Sequence, residues 1–138
     1  MKQCDIMKIS EEEVAFVSEQ ESLEKGVSFI RDNSDIKILF VTLGNKGSIA
    51  YYKDEKIYCG GIHQEHVVDT TGAGDTFCGA VLSRILELGT DALTEKDIRE
   101  MLLFANAAAS IVVTRKGALC SMPEPEEIRA ASRRVKFL

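Results

Sequence analysis

The sequence predicts an α/β protein in which one sheet lies between two layers of helices, a three-layer α/β/α sandwich. Two observations carry this prediction. Short runs of β-branched and aromatic residues alternate with helical patterns along the chain, and one of these runs is apolar almost throughout. An apolar strand is typical of a sheet that is covered on both faces. The 138 residues contain no internal repeat or linker and are expected to fold as a single domain, residues 1–138.

Two helices are predicted near the N-terminus from capping-box patterns, in which a serine precedes a glutamate by three residues. Residues 10–13 have this form, and residues 18–21 repeat it. The first helix has an apolar side made of Val14, Phe16 and Val17. The second helix is expected to begin at residues 18–21 and to close near residues 32–34. Its apolar positions fall on one helical face and are Leu23, Val27 and Ile30.

A buried strand and a hairpin are predicted next. Residues 36–42 form a short β-branched and aromatic run, which is the pattern of a largely buried strand. Residues 48–52 and 56–59 flank a polar turn at residues 53–55, and this arrangement predicts a β-hairpin.

The second half of the sequence is expected to be mainly helical. An extended apolar segment, residues 65–68, leads through a glycine-rich turn into a helix that ends around Gly89. The apolar stripe of this helix consists of Phe77, Val81, Ile85 and Leu88. Residues 94–97 have the form of another helix N-terminus, and Pro125 is expected in the first turn of the last helix.

Composition excludes several classes of function. The formal net charge of −5 and the isoelectric point near 5.1 argue against nucleic acid as a partner, because no basic stripe could neutralise phosphates. No apolar run approaches the roughly 20 residues that span a bilayer. Four cysteines are scattered without a C-x-x-C pair, which favours reduced thiols and a cytoplasmic location.

The most informative segment is residues 69–77, Asp-Thr-Thr-Gly-Ala-Gly-Asp-Thr-Phe. Gly72, Ala73 and Gly74 leave backbone N–H groups at a helix N-terminus open to an anion, and they let a phosphate oxygen approach the main chain. Asp75 follows where such a phosphate would meet an attacking hydroxyl. A carboxylate at this point suits a group that orients and deprotonates the hydroxyl during phosphoryl transfer. The segment therefore predicts a kinase.

Structural interpretations of the same residues stay open. Asp75 could be only a helix N-cap, and the glycines could form an ordinary tight turn. Other phosphate motifs are absent, because no G-x-x-x-x-G-K-[ST] occurs and Phe77 takes the third glycine position of G-x-G-x-x-G. The sequence is therefore expected to be neither a P-loop NTPase nor a dinucleotide-binding dehydrogenase.

These segments resemble the ribokinase/fructokinase family of carbohydrate kinases, and fructokinases most of all. The resemblance runs from residues 6–13 to the terminal helix, and its other motifs are residues 41–47, 69–75, 104–109 and 114–118. It implies a ribokinase-like sandwich. At about half the expected length, the chain is expected to be the C-terminal portion of a kinase, which lacks the N-terminal half that supplies most of the sugar pocket.

The resemblance implies a role for each matching position. Asp75 would be the general base, and Gly72, Ala73 and Gly74 would form an anion hole for the γ-phosphate. The nucleotide-binding residues would be Thr42, Gly44, Gly47, Gly74 and Asn106. From spacing alone, residues 42–47 could be merely a strand-to-hairpin turn, and Asn106 a polar residue on a helix surface.

A monovalent cation, usually potassium, is also implied beside the anion hole. Its ligands would be Asp69 and Thr71, completed by position from Val112, Arg115, Gly117 and Ser121. Hard oxygen ligands suit such an ion, although Asp69 could instead only cap the turn. Mg²⁺ would arrive through ATP oxygens and water, without a protein ligand. His63 and His66 are expected to be a surface pair rather than a metal site.

The predicted reaction is phosphoryl transfer from MgATP to a sugar hydroxyl, with fructose 6-phosphate and ADP as products in the fructokinase-like case. Ribose, a nucleoside or a keto-deoxy acid are alternative substrates within the family. A truncated nucleotide-binding module without activity is the alternative from another class. The chain is also expected to self-associate or to pair with the missing N-terminal half, since truncation would expose a strand edge and an apolar face.

Overall fold

A mixed four-stranded sheet separates two layers of helices in the computed structural model, which describes residues 4–117 and 119–133. The strands follow one another across the sheet in chain order: β1 (Ile6–Ser10), β2 (Ile38–Thr42), β3 (Gly47–Tyr52) and β4 (Glu55–Gly60). The first pair is parallel, and the two pairs after it are antiparallel. The predicted three-layer α/β/α sandwich is confirmed.

Five helices occur in the described residues. They are α1 (Glu11–Ser18), α2 (Leu23–Asp32), α3 (Ala73–Leu88), α4 (Glu95–Val112) and α5 (Pro125–Ser132). Short 3₁₀ turns occur at Gly44–Lys46 and Leu119–Ser121. No helix in residues 4–117 or 119–133 has both the length and the apolar character needed to cross a bilayer.

The core lies on both faces of the sheet because β2 alternates its side chains between the two helical layers. Leu39 and Val41 pack with residues of α1 and α2. Ile38 and Phe40 pack with residues of α3, α4 and α5. Both sets are almost completely buried, with relative exposures of 1% or less. The continuous apolar run in the sequence therefore has the physical cause that was predicted for it.

Several predicted boundaries are confirmed. Ser10 and Glu13 form a capping box at the start of α1, and Thr94 and Asp97 form another at the start of α4. α3 ends at Leu88, and its C-cap Gly89 has a positive φ of 76°. The hairpin turn is shorter than expected, because β4 begins at Glu55.

The expected start of the second helix at residues 18–21 is wrong. Ser18 is the last residue of α1, and its hydroxyl donates a hydrogen bond to the Val14 carbonyl at 2.7 Å. Glu19 then adopts a left-handed φ of 55°, and α2 begins only after Ser22, whose side chain caps the first turn. Ser18 does not cap the second helix, because it is the C-terminal residue of the preceding helix and its hydroxyl bonds within that helix.

The apolar side expected on the first helix forms only in part. Of the apolar side expected on α1, only Val14 is buried, and Phe16 is 85% exposed. The apolar segment at residues 65–68 is not a strand of the sheet, and Val67 and Val68 are more than half exposed. Strand β1 was not predicted as a strand from the residues, because its apolar run is short and is interrupted by a lysine.

We expect Gly26→Ala to destabilise the protein, although alanine favours helix over glycine by about 1 kcal/mol. A Cβ on Gly26 would lie 2.6 Å from Val14 Cγ1 and 2.8 Å from Ser18 Oγ, so α1 and α2 would have to separate. Overpacking of this kind costs about 1–3 kcal/mol. Urea denaturation gives the free energy of unfolding.

The matched control is Gly79→Ala in the interior of α3, where a Cβ would meet nothing within 4 Å. This variant should be stabilised by about 0.5–1 kcal/mol. Equal stabilisation by both substitutions would contradict the close packing of α1 on α2.

Candidate functional site

A cleft of about 800 Å³ lies at the carboxyl ends of the parallel strands β1 and β2. In α/β sheets this edge is the usual place for a ligand. The five residues predicted to bind nucleotide all line this one cleft, and they are Thr42, Gly44, Gly47, Gly74 and Asn106. The structure thus brings together residues that lie more than 60 positions apart in the sequence.

The glycine-rich turn places an uncapped helix N-terminus at this cleft. Gly72 precedes α3 with a φ of 82°, a conformation that strains any residue with a Cβ. Ala73 N donates to the Thr70 carbonyl at 3.3 Å, and Thr76 N donates to the Gly72 carbonyl at 2.8 Å. Within residues 4–117 and 119–133, no side chain caps the helix, and the N–H groups of Gly74 and Asp75 lack an acceptor.

Such an arrangement is suited to an anion. The first-turn N–H groups carry partial positive charge, and they find no partner inside the described protein. The N-termini of α1 and α4 differ from that of α3. In α1 a serine side chain accepts a hydrogen bond from a first-turn N–H group, and in α4 a threonine side chain does so. Ala73 and Gly74 both line the cleft, so a phosphate bound there would meet these N–H groups directly.

Asp75 lies in the first turn of α3, beside the free N–H groups. It is exposed and is not among the residues that line the cleft. The structure thus places Asp75 at the start of the helix, next to the lining residue Gly74 but not in the wall of the cleft itself. The N-cap alternative is wrong, because Gly72 is the N-cap.

Asp69 fastens the turn to the loop that follows α4. Its Oδ1 accepts a hydrogen bond from Thr71 N at 2.9 Å, and its Oδ2 accepts one from Gly117 N at 3.3 Å. These bonds, the Thr71 backbone bond above all, hold the pKa of the Asp69 carboxyl below its usual value. Asp69 is therefore more than a local cap, since it joins two segments 48 residues apart.

The other residues of the predicted cation site lie around this joint. Arg115 N donates to the Val112 carbonyl at 3.0 Å, and the Arg115 side chain donates to the Ser121 carbonyl at 3.4 Å. Thr71 is exposed beside Asp69. Ala118, part of the matching motif, lies outside the described residues.

Two points bear on metal binding: whether the described side chains form a metal ligand set, and where the two histidines lie. Among residues 4–117 and 119–133, no three His, Cys, Asp or Glu side chains cluster as a metal ligand set. His63 lines the cleft, which the sequence did not indicate. His66 is exposed and is not among the cleft-lining residues.

Glycine is favoured for a different physical reason at each of the two glycine positions in the 42–47 loop. A Cβ on Gly44 would meet nothing within 4 Å, and its φ of 60° favours glycine, so this residue leaves open space in the cleft wall. A Cβ on Gly47 would overlap the Cys59 carbonyl oxygen of the neighbouring strand. Glycine at position 47 is thus required by backbone packing, whether or not a nucleotide binds.

Asn106 is a buried connection between α4 and the hairpin, so the interpretation as a surface residue is wrong. Its Oδ1 accepts a hydrogen bond from Ser48 Oγ at 2.9 Å. Its Nδ2 donates to the carbonyls of Cys59 and Gly60 at 3.1 and 3.2 Å. The amide is therefore engaged with the sheet, and Asn106 shapes the cleft by fixing its wall.

Sequence reasoning assigned no role to Lys8. This residue lies on β1 and lines the cleft. The available signal was a charged residue at a position of a short strand where alternation favours an apolar side chain.

We expect Asn106→Leu to lower the free energy of unfolding by about 2 kcal/mol, because two carbonyls and a hydroxyl lose their partner. Ser48→Ala removes one of these bonds and should cost about 1 kcal/mol. Urea denaturation of both variants checks the order. Asn106→Leu with the stability of the wild type would contradict the structural role of this amide.

Comparison with known proteins places this geometry in a family. Residues 1–125 match the family described as pfkB family carbohydrate kinase. Fructokinase-1 of rice, Oryza sativa subsp. japonica, is 39% identical over 128 residues, which are 91% of this chain and 39% of the relative. The chain thus spans about two fifths of the length of this relative.

Solved structures give the same result. Fructokinase from Vibrio cholerae O395, in a form with fructose, ADP and calcium bound, has a TM-score of 0.82 at 32% identity, over 91% of this chain and 40% of that one. Ribokinase of Arabidopsis thaliana, complexed with ribose and ATP, has a TM-score of 0.81 at 32% identity, over 95% and 41%. Sequence and fold agree that the chain belongs to the pfkB family of carbohydrate kinases.

Proposed function

We propose that this chain carries the nucleotide-binding and catalytic part of an ATP-dependent sugar kinase. The reaction is transfer of the γ-phosphoryl group from MgATP to a hydroxyl of fructose, with fructose 6-phosphate and ADP as products. One observation carries the proposal: the uncapped N-terminus of α3, with the free N–H groups of Gly74 and Asp75, lies in the cleft that also gathers Thr42, Gly44 and Asn106.

In this proposal the glycine-rich turn and Asp75 have separate roles in the phosphoryl transfer. The backbone of residues 72–74 forms the anion hole, and its N–H groups stabilise charge on the oxygens of the transferred group. Asp75 orients the sugar hydroxyl and accepts its proton as the oxygen–phosphorus bond forms and the bond to ADP breaks. The exposure of Asp75 leaves its carboxylate accessible to a sugar that approaches from outside the nucleotide cleft.

Mg²⁺ fits the proposal as a companion of ATP. The described residues offer no three-carboxylate cluster, and Mg²⁺ often keeps its waters and binds phosphate oxygens rather than an all-protein cage. The ion would neutralise phosphate charge when bound. Potassium is proposed at Asp69, Thr71 and the loop of Val112, Arg115, Gly117 and Ser121.

Fructose is favoured by the rice and Vibrio cholerae relatives, and ribose by the Arabidopsis ribokinase. A nucleoside and a keto-deoxy acid stay as further candidate substrates. A nucleotide-binding module without activity of its own is the second candidate function. Fructose-dependent release of ADP distinguishes the kinase from this module.

The proposal also includes a cellular location and a mode of association. We place it in the cytoplasm, because its four cysteines are free and scattered. We also propose self-association, or pairing with a further kinase segment, over exposed apolar side chains such as Phe16 and Leu86. Light scattering at tens of micromolar tests this association, and a monodisperse monomer contradicts it.

The first test of function is a thermal melt of the chain with and without MgATP. Because a ligand that binds only the folded state raises its stability, the midpoint should rise with ATP concentration. A cooperative melt without any rise would refute nucleotide binding by this chain.

We expect Asp75→Asn to lower turnover by about 10²–10⁴-fold, the range for loss of a general base. Nucleotide affinity should change little, because the backbone N–H groups remain. Coupled detection of ADP release gives turnover, and the ATP-dependent melt gives affinity. Glu87→Gln, an exposed carboxylate near the other end of α3, is the control and should retain activity. Normal turnover of the Asp75→Asn variant would remove the base assignment.

Potassium should increase the shift that MgATP produces in the melt, relative to a large inert cation at equal ionic strength. The reason is that a cation at Asp69 would hold the turn and the loop of Gly117 together beside the anion hole. Asp69→Asn should abolish the difference between the two salts. Asp91→Asn, remote from this joint, should preserve it. Equal shifts in both salts for the wild type would contradict the proposed cation site.

A further inference from the structure

Tyr58 is an exposed aromatic residue on β4 whose hydroxyl has a defined partner. Its neighbours Ile57 and Cys59 are buried in the core on the side of α3 and α4. By alternation Tyr58 faces the other side of the sheet, paired in register with Ile49, and it is 53% exposed. Its hydroxyl donates a hydrogen bond to the Lys46 carbonyl at 2.7 Å. A ring so exposed buries little apolar surface, which makes this hydrogen bond the main contribution of the side chain.

The carbonyl that Tyr58 holds belongs to the loop of residues 43–46, between β2 and β3. Leu43, Gly44 and Asn45 of this loop line the cleft. Gly44, Asn45 and Lys46 are all exposed, so burial of their side chains does not hold them in place. Gly44 has a φ of 60°, and a glycine loses more conformational freedom on ordering than any other residue. The loop therefore depends on hydrogen bonds rather than on packing.

Backbone hydrogen bonds close the loop and join it to the hairpin. Leu43 N donates to the Gly47 carbonyl at 2.8 Å, and Lys46 N donates to the Leu43 carbonyl at 3.2 Å. The Lys46 carbonyl accepts a further bond from Gly61 N at 3.1 Å. This one oxygen thus receives a backbone N–H group from the segment after β4 and the hydroxyl of Tyr58. It is the point at which the loop is joined to the end of β4.

Two glycines allow this end of β4 to approach the loop. A Cβ on Gly61 would overlap the Asn45 carbonyl oxygen, so only glycine fits there without displacing the loop. A Cβ on Gly60 would lie 3.7 Å from Tyr58 Oη, which shows that the tyrosine ring leans along the strand towards its C-terminal end. The ring therefore carries the hydroxyl past Gly60 to the loop.

Another side-chain contact to the loop is weaker. Lys46 Nζ lies 4.0 Å from Glu11 Oε2, and the two side chains are 71% and 48% exposed. Ion pairs that exposed contribute little to stability, because water and salt screen them. Within residues 4–117 and 119–133, Tyr58 is the residue whose side chain donates a hydrogen bond to the backbone of this loop.

We propose that Tyr58 is a positioning residue for the nucleotide, whose hydroxyl holds the Lys46 carbonyl and so orders the 43–46 loop as a wall of the cleft. This inference rests on the proposed function. Tyr58 is not among the residues that line the cleft, so it acts through the loop rather than by touching ATP. A loop that is ordered before binding loses less conformational entropy when the nucleotide arrives. The hydroxyl thus raises affinity without taking part in phosphoryl transfer.

The test compares Tyr58→Phe with the matched control Tyr52→Phe. Both substitutions keep the ring and remove one hydroxyl that donates to a backbone carbonyl. The Tyr52 hydroxyl bonds to the Thr90 carbonyl at 3.1 Å, and Tyr52 lies at the end of β3 away from the loop. Isothermal titration of the full chain with MgATP gives the affinities. Tyr58→Phe should bind about three- to tenfold more weakly than the wild type, the range for one lost hydrogen bond, and Tyr52→Phe within about twofold.

Hydrogen exchange measured by NMR without nucleotide separates ordering of the loop from a general loss of stability. The N–H groups of Lys46 and Gly61 should exchange faster in Tyr58→Phe, because local opening of the loop exposes them. Tyr52→Phe should leave these two rates unchanged.

The outcomes distinguish this inference from the proposed function. Weaker ATP binding by Tyr58→Phe without faster exchange at Lys46 and Gly61 would overturn the inference, as would equal losses of affinity in the two variants. Unchanged ATP affinity of Tyr58→Phe would also overturn it, while the proposed function stands. A wild type that does not bind MgATP would refute the proposed function and this inference with it.

Discussion

The geometry of the cleft depends on the hydrogen bonds that α4 makes to the rest of the chain. Through Asn106, the middle of this helix holds the Cys59 and Gly60 carbonyls and the Ser48 hydroxyl of the hairpin. Through the Val113 carbonyl, its end receives the N–H groups of Val68 and Asp69. One helix thus fixes both the wall that carries Gly44 and the turn that carries Gly74. These hydrogen bonds from α4 therefore set the position of one side of the cleft relative to the other.

The turn combines features that lower stability with an arrangement suited to an anion. Gly72 adopts a left-handed conformation, and the helix that follows begins without a cap. A cap is worth about 1 kcal/mol, and α1 and α4 both have one. Strain and unsatisfied groups of this kind concentrate at functional sites, where the surrounding structure compensates for them. The compensation here comes from Asp69, which bonds to Thr71 and Gly117.

Much of the fold could be predicted because local signals and burial agree. β2 is apolar on both faces, since both faces are covered, and the caps of α1 and α4 are formed by adjacent residues. The failures arise where distant parts of the chain decide. Ser18 resembles a cap, but the packing of α1 on α2 uses it otherwise. The partners of Asn106 lie 46 to 58 residues away, so no local pattern could reveal that its amide is buried. The candidate site was predicted from residues 69–77 together with the family resemblance of residues 41–47 and 104–109, whereas Lys8 became visible only through its position against Gly74.

The cleft draws its walls from β1, the loop after β2, the turn before α3 and the middle of α4, which together span most of the chain. Contacts between residues so far apart in sequence carry a large entropy cost, since the loops between them must close. A fragment that lacks any of these segments would also lack part of the cleft wall. Any ligand that contacts all of these segments would stabilise the folded chain as a whole rather than one part of it.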